Sequence, residues 1–157
     1  MDHLSLRGTH WEMGFQWGAR LAERGRFLLD HVPFPLTAER RAFAAACRPA
    51  YERDFPAALA ELEGLAAGQS CPREDLETVL FTTYALPPAC GCSCLAVSNG
   101  NGVFFGRNSD FLTALEAYNT HVTYRFSDGA IPFAGNTTSF VQMEDAVNAR
   151  GLAVGLT

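Results

Sequence analysis

The chain has no lysine. Without that amine, Schiff-base formation, a Ser–Lys dyad and a phosphate-loop lysine all lie outside the chemistry open to these 157 residues. A preference for Arg over Lys accounts for the absence equally well, and the exclusion holds in either case. Basic charge is thin throughout: residues 1–91 carry nine Arg against twelve acids, and residues 92–157 carry three against five. No face gathers enough cations to hold a phosphate backbone, so nucleic acid is not an expected partner. No apolar run approaches the roughly 18 residues that span a bilayer, and no basic-then-apolar segment opens the chain, so no membrane partner is expected and the cytoplasm is the default compartment. Internal repeats and low-complexity tracts are absent as well.

What is present suits one folded domain. The chain is 48% hydrophobic and 18% charged, enough apolar material to bury a core and too little charge to favour disorder. Its character changes near residue 87. Before that point the pattern is helical: a helix from about Glu12 to Asp30 with Trp11, Phe15, Leu21, Phe27 and Leu28 as apolar positions, and a second capped by Thr37 and interrupted at Pro49. A third begins at Pro56, buries Leu59, Leu62 and Leu65 and ends at Gly68; a fourth opens at Pro72 and buries Leu76, Val79 and Leu80. Gly14 and Gly18, four apart, mark a close helix–helix approach. Pro87-Pro88 ends the helical half.

From Cys92 onward the pattern is β. Cys92–Ser98 and Val103–Asn108 flank Asn99-Gly100-Asn101-Gly102, a strong hairpin signal. Thr120–Phe126 and Ile131–Ala134 flank Ser127-Asp128-Gly129, and Ser139–Met143 and Leu152–Thr157 read as further strands around a turn at Asn148–Gly151. The chain stops in mid-strand, and the expectation is that it is one piece of a longer protein. The fold class expected is α+β, with N-terminal helices followed by antiparallel strands.

Five Cys stand at 47, 71, 90, 92 and 94. An odd count disfavours a disulfide framework, and Cys47 and Cys71 read as packing residues. The cluster at 90–94 is where chemistry is expected. A thiol with an ordinary pKa of about 8.5 needs a base. Histidine occurs only at 3, 10, 31 and 121, and His121 alone follows the cluster, where it reads as a strand residue. Cleavage before Cys92 supplies another base, because the freed α-amine has a pKa of about 8 and lies a few bonds from its own thiol. Gly91 suits such a cut, since the missing Cβ lets sulfur approach the carbonyl. If the hairpin turns within Asn99–Gly102, Cys92 falls opposite a residue between 107 and 111: Arg107, Asn108, Ser109, Asp110 or Phe111. Which of these share its face depends on loop parity, and one residue of slip exchanges the faces.

The segment GCSCLAVSNGNGVFFGRNSDF resembles the nucleophile region of the acyl-CoA:isopenicillin-N acyltransferase family of N-terminal-nucleophile (Ntn) hydrolases, and is similar, more distantly, to the choloylglycine and penicillin V amide hydrolases. Gly106-Arg107-Asn108-Ser109-Asp110 matches the family's Gly-x-Asn-x-Asp run. FPAALAELEGLAAGQSCPREDL resembles its helical stretch upstream, and VNARGLAVGLT resembles its Asn-x-x-Gly-Leu strand downstream. Ser93 stands where Thr commonly follows the nucleophile, and family members are longer, with later strands that supply further site residues.

The resemblance implies an αββα sandwich, with residues 1–91 as a helical precursor segment and 92–157 as the first part of the catalytic chain. It implies a hydrolase or acyltransferase that cuts Gly91–Cys92 autocatalytically and then acts on linear amide C–N bonds of a small acyl amide through a thioester, without a cofactor. Cys92 is then the nucleophile, Asp110 holds its amine, Arg107 orients near the thiol, Asn108 contacts substrate and Asn148 stands on the oxyanion side. Each residue also has a plainer reading: a buried Cys, a strand-end carboxylate, a surface Arg, a turn Asn. The rival class is a non-catalytic Cys-rich or degenerate module, with zinc held by Cys90, Cys92 and Cys94. The sequence leaves open whether the protein forms a homo-oligomer or associates with the remainder of its own chain.

Overall fold

The computed structural model describes residues 2–83, 85 and 91–157. The break expected at Pro87-Pro88 and the residue Cys90 lie outside them. The protein is α+β with antiparallel sheets, and the chain divides into two compact units. Residues 6–83, 85 and 125–130 form a helical unit; residues 2–5, 91–124 and 131–157 form a strand-rich unit.

In the helical unit, helix α1 (His10–Glu23) opens on a capping box: Thr9 Oγ1 accepts from the Glu12 amide, and the Glu12 carboxylate accepts from the Thr9 amide at 2.7 Å. The same hydrogen bonds hold the Glu12 carboxyl below its ordinary value. The helix stops at Glu23, seven residues before the expected end at Asp30. Gly25, at φ +68°, takes the left-handed position there, and the amides of Gly25 and Arg26 donate to the Ala22 and Leu21 carbonyls. A short 3₁₀ turn, Leu28–His31, follows.

Helix α2 (Ala38–Asp54) is capped by Thr37 and runs through Pro49 instead of breaking there. Pro49 is exposed, so the Ala45 carbonyl deprived of its partner faces water. The residues beyond it are held sideways: Tyr51 stacks on Phe81 at 4.4 Å, and Arg48 pairs with Glu52 at 2.9 Å and with the buried Glu77. Helix α3 (Pro56–Gln69) begins with Pro56 at its first position. It ends one residue beyond Gly68, with Ser70 left-handed at φ 52°. Helix α4 (Arg73–Thr82) buries Leu76, Val79 and Leu80 as expected.

Gly68 has another use. Helices α1 and α3 meet along glycine. A Cβ at Gly14 would fall 2.0 Å from the Glu61 carbonyl oxygen, at Gly18 2.4 Å from that of Leu65, at Gly64 2.0 Å from that of Trp11, and at Gly68 2.4 Å from that of Phe15. The contacts climb both helices together, so the helices run in the same direction. The buried Gln69 amide stitches this interface: its nitrogen donates to the Gly18 carbonyl at 2.8 Å and to the Arg26 carbonyl at 3.2 Å, and its oxygen accepts from the Leu28 amide at 2.7 Å.

The strands order β1 (Asp2–Gly8), β4 (Thr120–Phe126), β5 (Phe133–Ser139), β6 (Gln142–Asn148) and β7 (Ala153–Gly155) into one sheet, and β2 (Gly91–Asn99) and β3 (Gly102–Asp110) into a separate hairpin. Strand β1 was not expected, although Leu4 and Leu6 alternate with polar neighbours. Strand β5 begins at Phe133 and not Ile131, because Pro132 has no amide to give to a ladder. The segment read as one strand over Ser139–Met143 holds the tight β5–β6 connection, where Phe140 sits at φ 54° and is 1% exposed.

One face of the larger sheet is apolar: Val122 is buried, as are Leu115 and Tyr118 of the 3₁₀ turn Thr113–Tyr118, and Phe140 lies edge-on to Tyr118 at 5.3 Å. Toward the other face comes the hairpin. A Cβ at Gly155 would lie 2.6 Å from the Phe105 ring and 3.2 Å from Cys94 Sγ, so a side chain there would have to displace that ring. Among the described residues no helix is long and apolar enough to cross a membrane.

Candidate functional site

Register settles the parity that the sequence leaves open. Cys92 pairs with Ser109, Cys94 with Arg107 and Gly91 with Asp110. Directly opposed residues share a face, and faces alternate along each strand. Cys92, Cys94, Arg107, Ser109 and Phe105 therefore lie on one face, while Asn108 and Asp110 lie on the other with Gly91 and Ser93.

Arg107 is the centre of the first face. Its Nη2 donates to Cys92 Sγ at 2.9 Å and to Glu144 Oε2 at 2.7 Å, its Nε donates to the Leu156 carbonyl at 2.7 Å, and its Nη1 lies 3.5 Å from Asp145 Oδ2. Its side chain is only 3% exposed and that of Glu144 2%. A buried guanidinium thus meets two carboxylates, one carbonyl and one thiol. Ser109 Oγ stands 3.9 Å from Cys92 Sγ and 3.5 Å from Glu144 Oε2.

Two adjacent residues of a strand ordinarily point to opposite faces, yet Glu144 and Asp145 both reach Arg107. The ladder explains it. Asn136 pairs with Asp145 and Thr137 with Met143, so Glu144 is an extra residue with no partner. This β-bulge re-aims the strand and brings both carboxylates to one cation. Neither acid was among the expected site residues. The available signal was a pair of charges inside an otherwise strand-like stretch, and a period-two reading assigns such a pair to opposite faces.

From Asp145 a polar chain continues across the sheet. Asp145 Oδ1 accepts from Asn136 Nδ2 at 2.8 Å, and Asn136 Oδ1 meets His121 Nδ1 at 2.9 Å. The carboxylate orients the amide, so His121 carries its proton on Nδ1. These groups, with Arg107, Phe105 and Ala153, line a cleft of about 560 Å³. Phe105 lines the cleft; Phe104 faces away and is 55% exposed.

The other expected residues are placed differently. Asp110 stands opposite Gly91, beside the Gly91–Cys92 bond, and accepts from Asn108 Nδ2 at 2.9 Å. Asn148 closes the β6–β7 turn, its Oδ1 accepting from the amides of Arg150 and Leu152 at 3.0 and 3.1 Å. It lies four residues along β6 from Glu144, about 13 Å in an extended strand. The structure therefore brings Arg107 to Cys92 and Asp110 to Gly91, and does not bring Asn108 or Asn148 to the sulfur. Among the described residues no group of three His, Cys, Asp or Glu is placed to hold a metal ion.

Burial, and secondarily the charge of Asp145, pushes the Glu144 carboxyl up to about 7. The guanidinium at 2.7 Å favours the ionised form and works against that rise. A carboxyl that holds its proton more tightly when folded contributes stability that is complete below its unfolded value of 4.5 and is lost as pH rises through about 7. Thermal unfolding should therefore show stability falling between pH 5 and pH 8, by at most about 3 kcal/mol from this group. The Glu144→Gln variant should flatten that dependence; an unchanged slope would assign it elsewhere.

No protein-family model matches the chain, and no curated protein matches it.

Proposed function

We propose that this chain is an N-terminal-nucleophile cysteine hydrolase or acyltransferase of the αββα type, cytoplasmic, which cuts itself at Gly91–Cys92 and then acts on a linear amide of a small acyl compound. The observation that carries the reading is the setting of Cys92: it follows a glycine at the start of β2, its sulfur accepts from a buried guanidinium at 2.9 Å, and an acid stands across the ladder from that glycine.

After cleavage, the α-amine of Cys92 takes the thiol proton and the sulfur attacks the substrate carbonyl. The leaving amine departs with that proton, leaving an acyl group on sulfur, and water or a second amine resolves the thioester. Arg107 stands where sulfur carries charge once its proton has left. In this reading Asp110, the ladder partner of the residue whose bond is cut, holds the new ammonium. The cleft beside Arg107 offers apolar walls to an acyl group and a polar end at Asp145, Asn136 and His121. Asn108 donates to Asp110 and Asn148 Oδ1 accepts from the amides of the β6–β7 turn, and this reading assigns neither a step of its own.

Intact-mass measurement tests it. The wild-type chain should give two fragments divided between Gly91 and Cys92, with the second beginning Cys-Ser, and Cys92→Ala should remain a single species without amidase activity. An uncut wild-type chain that hydrolyses amides would refute the self-cleavage, and one with neither property would refute the enzyme.

A further inference from the structure

The amine that serves the mature site as base does not exist while Gly91–Cys92 is intact, so self-cleavage needs another proton acceptor. Arg107 carries only donors. Asp110 lies on the opposite face of the hairpin from the sulfur. Asp145 Oδ1 is taken by the backbone and side-chain nitrogens of Asn136, and its Oδ2 faces Arg107. His121 is separated from the sulfur by Asn136, Asp145 and Arg107 in turn. Among the described residues, Ser109 Oγ supplies the connection, between Cys92 Sγ at 3.9 Å and Glu144 Oε2 at 3.5 Å.

We propose that Ser109 passes the Cys92 thiol proton to the Glu144 carboxylate, making Glu144 the proton acceptor of self-cleavage. This rests on the nucleophile assignment above and adds to it a base used once. The thiol donates to Ser109 Oγ as the serine proton moves to Glu144 Oε2. The thiolate adds to the Gly91 carbonyl carbon, forming a C–S bond and an oxyanion. Collapse breaks the bond from that carbon to the Cys92 nitrogen, and the proton held by Glu144 returns through Ser109 to the departing amine. Water then hydrolyses the Gly91 thioester, leaving a Gly91 carboxylate, a free thiol and the α-amine that acts thereafter. Both separations are long for the resting chain, and contacts of this kind tighten as reaction proceeds.

Among the described residues, the charged and titratable groups facing Glu144 include Arg107 from β3, Cys92 from β2 and Asp145 from its own strand, with His121 from β4 beyond Asn136. With Glu144 ionised the two carboxylates exceed the one guanidinium. A carboxyl raised toward neutrality is therefore able both to accept a proton and to give it back.

The test follows full-length chain made by cell-free synthesis, with cleavage timed by intact mass between pH 5.5 and pH 8.5. Wild-type cleavage should accelerate as pH rises, with an inflection near 7. Glu144→Gln should slow it by about 100-fold or more and remove that inflection. Ser109→Ala, at a half-buried position that tolerates the smaller side chain, should slow it comparably, and Ser109→Thr should retain most of the rate. If wild type is cut and both Glu144→Gln and Ser109→Ala are cut at the same rate with the same pH profile, this relay is overturned while the nucleophile assignment stands. If wild type is never cut, both fall.

Discussion

Gly64→Ala is expected to cost the helical unit about 3 kcal/mol or more, enough to shift its urea midpoint far outside the range of ordinary surface changes. The added methyl would lie 2.0 Å from the Trp11 carbonyl oxygen and 2.8 Å from the Phe15 nitrogen, all backbone atoms that no rotamer change can move aside. Alanine should gain about 1 kcal/mol of intrinsic helix preference over glycine, so any net loss measures the interface and not the helix. Gly14→Ala should behave alike, its methyl meeting the Glu61 carbonyl from the other helix. Gly106→Ala, where nothing lies within 4 Å, supplies the contrast and should stay within about 1 kcal/mol of wild type. Equal midpoints for Gly64→Ala and Gly106→Ala would mean that α1 and α3 do not meet on their glycines.

The second large effect concerns charge. Arg107→Met should destabilise the strand-rich unit by about 3–5 kcal/mol at pH 8, because it leaves the buried Glu144 and the half-buried Asp145 without their cation. Lowering the pH should recover part of that loss, since protonation removes the orphaned charge, and the loss should be smaller at pH 5 than at pH 8. Combining Arg107→Met with Glu144→Gln should recover stability at pH 8 as well. Chemical denaturation at the two pH values reads both results; a penalty independent of pH would mean that the methionine fails through shape and not through stranded charge.

Much of the helical half could be read from local chemistry. Thr37 caps α2, Pro56 opens α3, and the four-residue glycine spacing announces a close approach, because each is decided within one turn of chain. Pro49 misleads for the same reason: its local cost is real, and the packing of Arg48 and Tyr51 outweighs it. The hairpin also follows from its turn, to the extent that Asn99–Gly102 brings Cys92 into the range of residues 107–111. The candidate site was only half legible. Cys92 and Arg107 lie within sixteen residues and one hairpin of each other, whereas Glu144 reaches them through a bulge, and a bulge is a relation between two strands with no mark in one. His121 and Asn136 likewise become linked only when β4 and β5 are laid side by side. Asn148, expected at a turn, does hold one through its Oδ1, because that contact is local.

The paired glycines of α1 and α3 resolve how near the helices come, and leave a different question about where along each other they stop. Spaced at about one helical pitch, 5.4 Å, on both partners, they act like notches on two rulers, and sliding one ruler by a single notch would still seat a glycine against a carbonyl. Gln69 removes that freedom. Its amide reads one carbonyl on α1 and two backbone groups just beyond it, and a displaced helix would offer it none of the three together. The small residues permit contact; a single amide decides the setting.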